Sequence, residues 1–333
     1  MKKCGALFLF LFVYSLSFAQ HINNADKQFI QQQEDSLRNL ANKIILGINP
    51  DDRLKADSSF TKMLMRTLKT HNSFYYPFDS VQSISILYAP DSSFKIFTWQ
   101  LVINENVVRH HGVIQMKTDD GSLKRFPLID KTIVTTRIQD TIGNNLGWIG
   151  AIYYKIIEKK SFNKNYYTLL GFDMNNISSD RKLIEVLTFV NDEPIFGGRF
   201  FSFEEDTIFK TARSRYIMEF KKDAGPRLTY DPDLDMIIAE HLISESGEPN
   251  KKWTYVGDGD YEGFKWRNGK WIHIEKVYHY VTPMGKEPVP SPLKDNNGNL
   301  LDDKVNDTDP DKPATDVKQK TKPVTPKKKK GDG

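Results

Sequence analysis

The feature that most constrains the fold is a two-residue reversal, Asn268-Gly269, between two runs rich in aromatic and charged residues. Asn-Gly best accepts left-handed backbone at both centres of a type I′ turn, so it sets a hairpin and its register. Arg267 then pairs with Lys270, Trp266 with Trp271, Phe264 with His273 and Glu262 with Glu275. The last three pairs share one face, because side chains alternate along a strand.

Similar punctuation recurs from about residue 83 to 281. Apolar runs at 83–89 and 94–103 flank Pro90-Asp91, and runs at 112–117 and 122–126 flank Asp119-Asp120-Gly121. Runs at 149–158 and 166–172 flank a polar loop at 161–164, and 183–190 leads into Asn191-Asp192. Runs at 209–220 and 227–230 flank Asp223-Ala224-Gly225, followed by 236–240, 253–256, 261–267 and 270–281. Neighbours joined by such short turns pair antiparallel. About a dozen strands exceed what one open sheet holds without curling or splitting. The expectation is a mainly β chain, an antiparallel β-meander forming a curled sheet, sandwich or open barrel over residues 76–284.

Residues 20–75 read as a helical pair. Phe29/Ile30, Leu37, Leu40/Ala41, Ile44 and Ile48 recur at helical spacing, and Phe60, Leu64 and Leu68 line a second helix. Asn49-Pro50-Asp51-Asp52 supplies a cap, a proline at the first helical position and acids in the first turn. Stripes this short are expected to pack on the β domain.

The flanks bear on location. Lys2-Lys3, an apolar run from Leu7 to Phe18 and small residues at Ser17 and Ala19 read as a signal peptide, 1–19, cleaved between Ala19 and Gln20. The run is too short to span a membrane, so export to the periplasm or envelope, or beyond it, is expected, with no transmembrane span after cleavage. Cys4 is the only cysteine. Cleavage therefore removes disulfides, thiolate catalysis and Cys-ligated metals together. Residues 285–333 carry 11 lysines against 9 acids, seven of the sixteen prolines and no aromatic residue. Such a tail is expected to be disordered. Its acidic and basic blocks suit a spacer or a contact with anionic surfaces. With Lys2, Lys3 and the tail set aside, the formal charge of +4 leaves a neutral body. That body offers no electrostatic case for nucleic acid.

The hairpin also places the one constellation that could carry chemistry. Opposed Glu262 and Glu275 need a shared proton, a cation or solvent to relieve repulsion, and His273 is one pair away. The alternatives are a carboxylate dyad or cation site, or half-buried packing of Trp266, Trp271, Phe264 and the imidazole with both glutamates splayed into water. A bulge or one-residue slip would also separate the two acids. Asp231-Pro232-Asp233-Leu234-Asp235 lacks the glycine and glutamate of a calcium loop and reads as a turn, as does Asp258-Gly259-Asp260. His110 and His111 point to opposite faces of a strand and cannot ligate one ion from it. No metal or cofactor is implied. Tyr153-Tyr154 and Tyr166-Tyr167 put one ring on each face, as in a sheet covered on both sides or one with an exposed aromatic platform.

Tyr76-Pro77-Phe78-Asp79-Ser80, Ser92-Ser93-Phe94-Lys95-Ile96-Phe97-Thr98-Trp99, Ala151-Ile152-Tyr153-Tyr154-Lys155-Ile156-Ile157, Tyr166-Tyr167-Thr168-Leu169-Leu170-Gly171-Phe172-Asp173 and Gly269-Lys270-Trp271 form a recognisable group. It resembles uncharacterised exported β-rich proteins of Bacteroidota-type bacteria over about residues 60 to 280. The resemblance implies compartment and fold and carries over no catalytic residue. Asp35-Ser36-Leu37, Asp79-Ser80-Val81, Asp140-Thr141-Ile142 and Asp206-Thr207-Ile208 are similar to the short O-glycan acceptor of such bacteria. The functional expectation is a non-enzymatic binding or structural module for a glycan or protein partner. The alternative is a hydrolase of an envelope or imported polymer acting through Glu262, Glu275 and His273.

Overall fold

The computed structural model describes residues 22–208 and 210–278. The expected cleavage point at Ala19 and Gln20, Cys4 and the tail at 285–333 lie outside these residues. Helix α1 (Asn24–Leu46) starts where the Asn23 side chain accepts from Asp26 N at 2.8 Å, and Pro50 opens α2 (Pro50–Leu68). The two helices bury the expected stripes: Ile30, Leu37, Ala41 and Ile44 on α1, Phe60, Leu64 and Leu68 on α2. No helix among the described residues is long and apolar enough to cross a membrane.

Strands β1 (Ser85–Tyr88), β2 (Phe94–Asn104), β3 (Val107–Met116) and β4 (Lys124–Ile129) form an antiparallel meander in chain order. Next come β5 (Gly143–Asn144), β6 (Ile152–Ser161), β7 (Lys164–Asp173), β8 (Ser179–Val190) and β9 (Glu193–Phe196), a second antiparallel sheet in the order β5-β9-β8-β7-β6. The chain then passes through β10 (Phe201–Phe203) and β11 (Lys210–Arg213) before β12 (Arg215–Lys221) returns to pair with the first half of β8. Finally β13 (Leu228–Asp231), β14 (Met236–Ser244), β15 (Tyr255–Arg267) and β16 (Lys270–Ile274) complete a third sheet ordered β11-β10-β16-β15-β14-β13.

The three sheets and the helix pair stack as four layers around three cores. Along β2, Phe97, Trp99 and Leu101 face the helices, whereas Phe94 and Ile96 face the second sheet with Trp148, Tyr153 and Leu169. Along β7, Leu169 belongs to that core, and Leu170 to the next one with Phe201, Phe264 and Trp271. The inner sheets are thus covered on both faces, which is why their strands carry aromatic doublets: Tyr167 packs on one side of the second sheet and Tyr166 on the other. Core packing, one of the two expected explanations for the doublets, applies here.

The mainly β, antiparallel architecture with its helical pair matches the sequence reading. Three pairings do not follow chain order: β5 with β9, β12 with β8, and β10 with β16, the last of them parallel, with Phe201 opposite Trp271 and Ser202 opposite Ile272. The parallel pair needs no crossover helix, because a long run of chain separates the two strands and the intervening strands carry it round. Tyr255-Val256, from the run expected at 253–256, and the run at 261–267 are one strand, β15, preceded by a 3-10 turn at Lys252–Thr254, and from Lys210 the run expected at 209–220 divides into β11 and β12.

Candidate functional site

Asn268 and Gly269 sit at φ 50° and 80°, as a type I′ turn requires. The register that follows pairs Arg267 with Lys270, Trp266 with Trp271 and Phe264 with His273. It runs on to Gly263 opposite Ile274 and stops there. Val277 N–H then reaches Tyr261 O at 2.8 Å, one residue out of step with the hairpin. Between Ile274 and Val277 this edge thus carries one residue more than β15 does between Gly263 and Tyr261, which takes Glu275 out of step with Glu262. Glu275 is exposed and accepts from Thr207 Oγ1 at 2.6 Å. The expected Glu262–Glu275 pair is therefore not formed.

Glu262 and His273 do meet, together with an acid the sequence reading did not connect to them. His273 Nε2 lies 3.0 Å from Glu262 Oε2, and Nδ1 lies 2.7 Å from Asp206 Oδ1. The Asp206 side chain is fully buried, His273 is 2% exposed, and Phe203 and Phe264 flank the imidazole at 5.1 and 5.0 Å. Lys210 Nζ donates to Asp206 Oδ2 at 3.0 Å, and the Tyr216 hydroxyl donates to Glu262 Oε1. Asp206 arrives because the parallel β10–β16 pair lays the loop after Phe203 beside His273. Its only sequence signal was the Asp206-Thr207-Ile208 motif, noted on other grounds.

Both imidazole nitrogens face carboxylate oxygens, so both must carry protons. Burial opposes that charge, but the hydrogen bonds His273 donates to Glu262 and then to Asp206 outweigh it and raise the His273 pKa. Burial likewise pushes Glu262 up, yet the hydrogen bonds from His273 and Tyr216 prevail and hold it below the ordinary glutamate value. Burial, reinforced by the charge of Glu262, raises Tyr216 well above its ordinary value. A general acid or base works best with a pKa near the working pH. Glu262 is driven the other way and stands as a fixed anionic acceptor.

That acceptor faces a cleft of about 1220 Å³. One wall is the loop at 132–140, which connects β4 to β5; the others come from β8, β11, β12, β14 and β15, with Val108, Asn175, Asn176 and Lys252 at the margins. The loop is held at both ends. Asp130 Oδ1 accepts from Thr132 N and Oγ1 at 2.8 and 2.6 Å, and the Arg215 guanidinium donates to Ile138 O and Thr141 O at 2.9 and 2.5 Å. The cleft walls carry five lysine and arginine side chains against three carboxylates. Every one of those carboxylates is engaged: Asp140 by Arg213 at 2.8 Å, Glu219 by Arg181 at 2.9 Å, Glu262 by His273 and Tyr216. Arg137 has no carboxylate partner among the described residues, and Lys252 lies 4.2 Å from the Tyr255 ring centroid.

Of the two hairpin tryptophans that could offer a ring to a ligand, Trp271 is fully buried and donates from Nε1 to Thr168 Oγ1 at 2.8 Å. Strand alternation turns it into the third core, so it presents no face to a ligand. Trp266 is half-buried, its ring 5.2 Å from Trp271 and 5.4 Å from Tyr166. His110 and His111 diverge as alternation requires: His110 lies 3.4 Å from Asp130, and His111 Nδ1 lies 2.9 Å from Asp57 beneath the helices. Asp231 Oδ1 accepts from Asp233 N and Leu234 N, so that stretch is a turn, whereas Asp258-Gly259-Asp260, expected as a turn, lies within β15 at the register shift opposite His241, with Asp258 Oδ1 accepting from Asp260 N. No cluster of three His, Asp or Glu among the described residues is arranged to hold a metal ion. Of the O-glycan-like sites, Ser36 and Thr207 are exposed, and Ser80 and Thr141 are half-buried.

The chain matches no family model, no curated protein and no solved structure.

Proposed function

We propose that the protein is an exported cell-envelope module that binds an acidic glycan in the cleft and does not cleave it. The observation that carries this reading is the state of the cleft's charges. Each carboxylate in the wall is neutralised by a cation or by two donors, whereas Arg137 and Lys252 keep their charge for a ligand. A polar groove with surplus positive charge attracts and orients an anionic chain. The alternative hydrolase needs two facing carboxyls with opposite proton roles, and Glu275 does not stand opposite Glu262. Export rests on the leader-like residues 1–19.

The test is affinity electrophoresis and calorimetry of the full chain with alginate, polygalacturonate and hyaluronan, scored also for new reducing ends. Binding that falls about tenfold in Arg137→Ala/Lys252→Ala, without release of reducing ends, is the expected result. Reducing ends released by the wild type and lost in Glu262→Gln would overturn the reading in favour of hydrolysis. Unaltered binding in the double variant, or none to any of the three polymers, would also overturn it.

A further inference from the structure

A second groove, of about 720 Å³, shares no residue with the cleft. Arg181, near the start of β8, lines the cleft, and Thr188 and Val190, at the end of β8, line the groove. The two sites are separated by roughly 23 Å of strand at about 3.3 Å per residue.

Three hairpin tips converge here. Phe162 and Asn163 turn β6 into β7 with φ 46° and 62°, and Asn191 and Asp192 turn β8 into β9 with φ 51° and 64°. The Asn268-Gly269 turn is the third, close enough that a Cβ on Gly269 would sit 3.2 Å from Ser161 Oγ. Phe162 is a bulky residue in left-handed backbone with its ring 85% exposed. That is a costly combination for a residue serving only the fold.

The lining is aromatic and uncharged apart from Lys164. Tyr166 and Phe200 meet edge to face at 5.5 Å, and Trp266 backs Tyr166 at 5.4 Å. Around them stand polar groups with nothing to hold: the side chains of Asn163, Asn191 and Thr188 and the Tyr166 hydroxyl make no hydrogen bond to another described residue. Rings flanked by idle amides and hydroxyls suit one ligand chemistry. A pyranose offers an apolar C–H face to an aromatic ring and a rim of hydroxyls that need donors and acceptors at once.

We propose that this groove is a separate carbohydrate site for the neutral pyranose units of a glycan, with Tyr166 and Phe200 stacking on the sugar and Asn163 and Asn191 hydrogen-bonding its hydroxyls. It does not depend on the cleft: five cations and three carboxylates line the one, and Lys164 is the single charged residue lining the other. A polymer carrying acidic and neutral stretches could engage both, gaining affinity through effective concentration.

The experiment uses the full chain in affinity gels containing soluble glucan, mannan or xylan, with Trp266 fluorescence as a second readout. Glycine accepts positive φ, so Asn163→Gly/Asn191→Gly removes both amides without disturbing either turn. Retardation by at least one neutral polymer is expected, weakened about tenfold in the glycine variant as two hydrogen bonds are lost. Arg137→Ala/Lys252→Ala should leave it unchanged, which separates this site from the cleft. Phe200→Ala should abolish retardation; where that variant unfolds, the glycine pair decides. No retardation by any of the three polymers, or wild-type affinity in the glycine variant, would overturn the proposal. Loss of neutral binding in Arg137→Ala/Lys252→Ala would overturn it too, by moving the sugar to the cleft.

Discussion

The Arg215 guanidinium, fully buried, donates from Nε to Glu185 Oε2 at 2.5 Å in the middle of the second sheet. The same carboxylate accepts from Tyr153, whose hydroxyl takes a bond from Trp148 Nε1 at 2.7 Å. Arg215 also carries the far end of the cleft loop through Ile138 O and Thr141 O. One side chain therefore ties a core ion pair to the wall of the binding cleft.

Removing one member of that pair leaves a buried, uncompensated charge. Arg215→Ala should lower unfolding free energy by about 3–5 kcal/mol, read from urea denaturation. Arg215→Met combined with Glu185→Leu should recover a large part of that loss, since both charges go together. If the double variant is no more stable than Arg215→Ala, the charge argument is wrong.

Lys95 is buried beneath Phe74, Phe78, Tyr88 and Phe97, with Nζ 2.8 Å from Tyr76 O and no carboxylate partner among the described residues. Burial pushes its pKa down to about 7 from an ordinary 10.5. Between those values the unfolded chain binds the extra proton, so stability should rise with pH from about 7 to 10.5 and level off above. Thermal melts across that range should show the slope in the wild type, and Lys95→Met should flatten it.

His273 and Glu262 shift in opposite directions, and their linkage carries opposite signs. The raised His273 pKa stabilises the fold below the unfolded histidine value and loses its effect as pH climbs through the folded one. The lowered Glu262 pKa stabilises above the unfolded glutamate value and is lost as pH falls through the folded one. Glu262→Gln removes the carboxylate that contributes most to raising His273. An NMR titration of the imidazole should find its pKa lower in the variant than in the wild type, and an unmoved curve would refute the contact.

Gly269 at φ 80° sits in the turn that sets the hairpin register. Gly269→Ala adds a Cβ to left-handed backbone at a cost of about 1–2 kcal/mol. Asn268→Gly should be nearly silent, because glycine accepts the same geometry. Chemical denaturation of the two variants separates turn conformation from general sensitivity of the loop.

Export has its own readout. Protein recovered from the envelope or medium of the source cell should begin at Gln20, as N-terminal sequencing or intact mass would show, and recovery from cytosol with Met1 in place would contradict it.

What could be read from the chain was local. Asn268-Gly269 and the paired turn at Asn191-Asp192 are short-range signals, and the register from Arg267 to His273 follows from one of them. Helical stripes such as Phe60, Leu64 and Leu68 depend only on their own periodicity. The rest was set at a distance. Asp206 reaches His273 across 67 residues, and no spacing rule encodes a parallel contact between β10 and β16. The extra residue between Ile274 and Val277, where Val277 N–H meets Tyr261 O, follows from no turn rule in the hairpin. Strands β9 and β10 escaped notice because Pro194, Gly197 and Gly198 interrupt an otherwise ordinary β-run. Nothing local marks Arg215 as buried; only the pairing of β12 with β8 sets it beside its partner, Glu185.

Strand β16 fills the space between β10 and β15, so the third sheet cannot close until the final hairpin has been delivered. Until then β10 and β11 form a two-stranded fragment with one side open. A chain stopped short of Lys270 would leave Phe201 and Phe203 uncovered, and with them the loop that carries Asp206. The contact between Asp206 and His273 is in this way conditional on the last strand of the stack being in place.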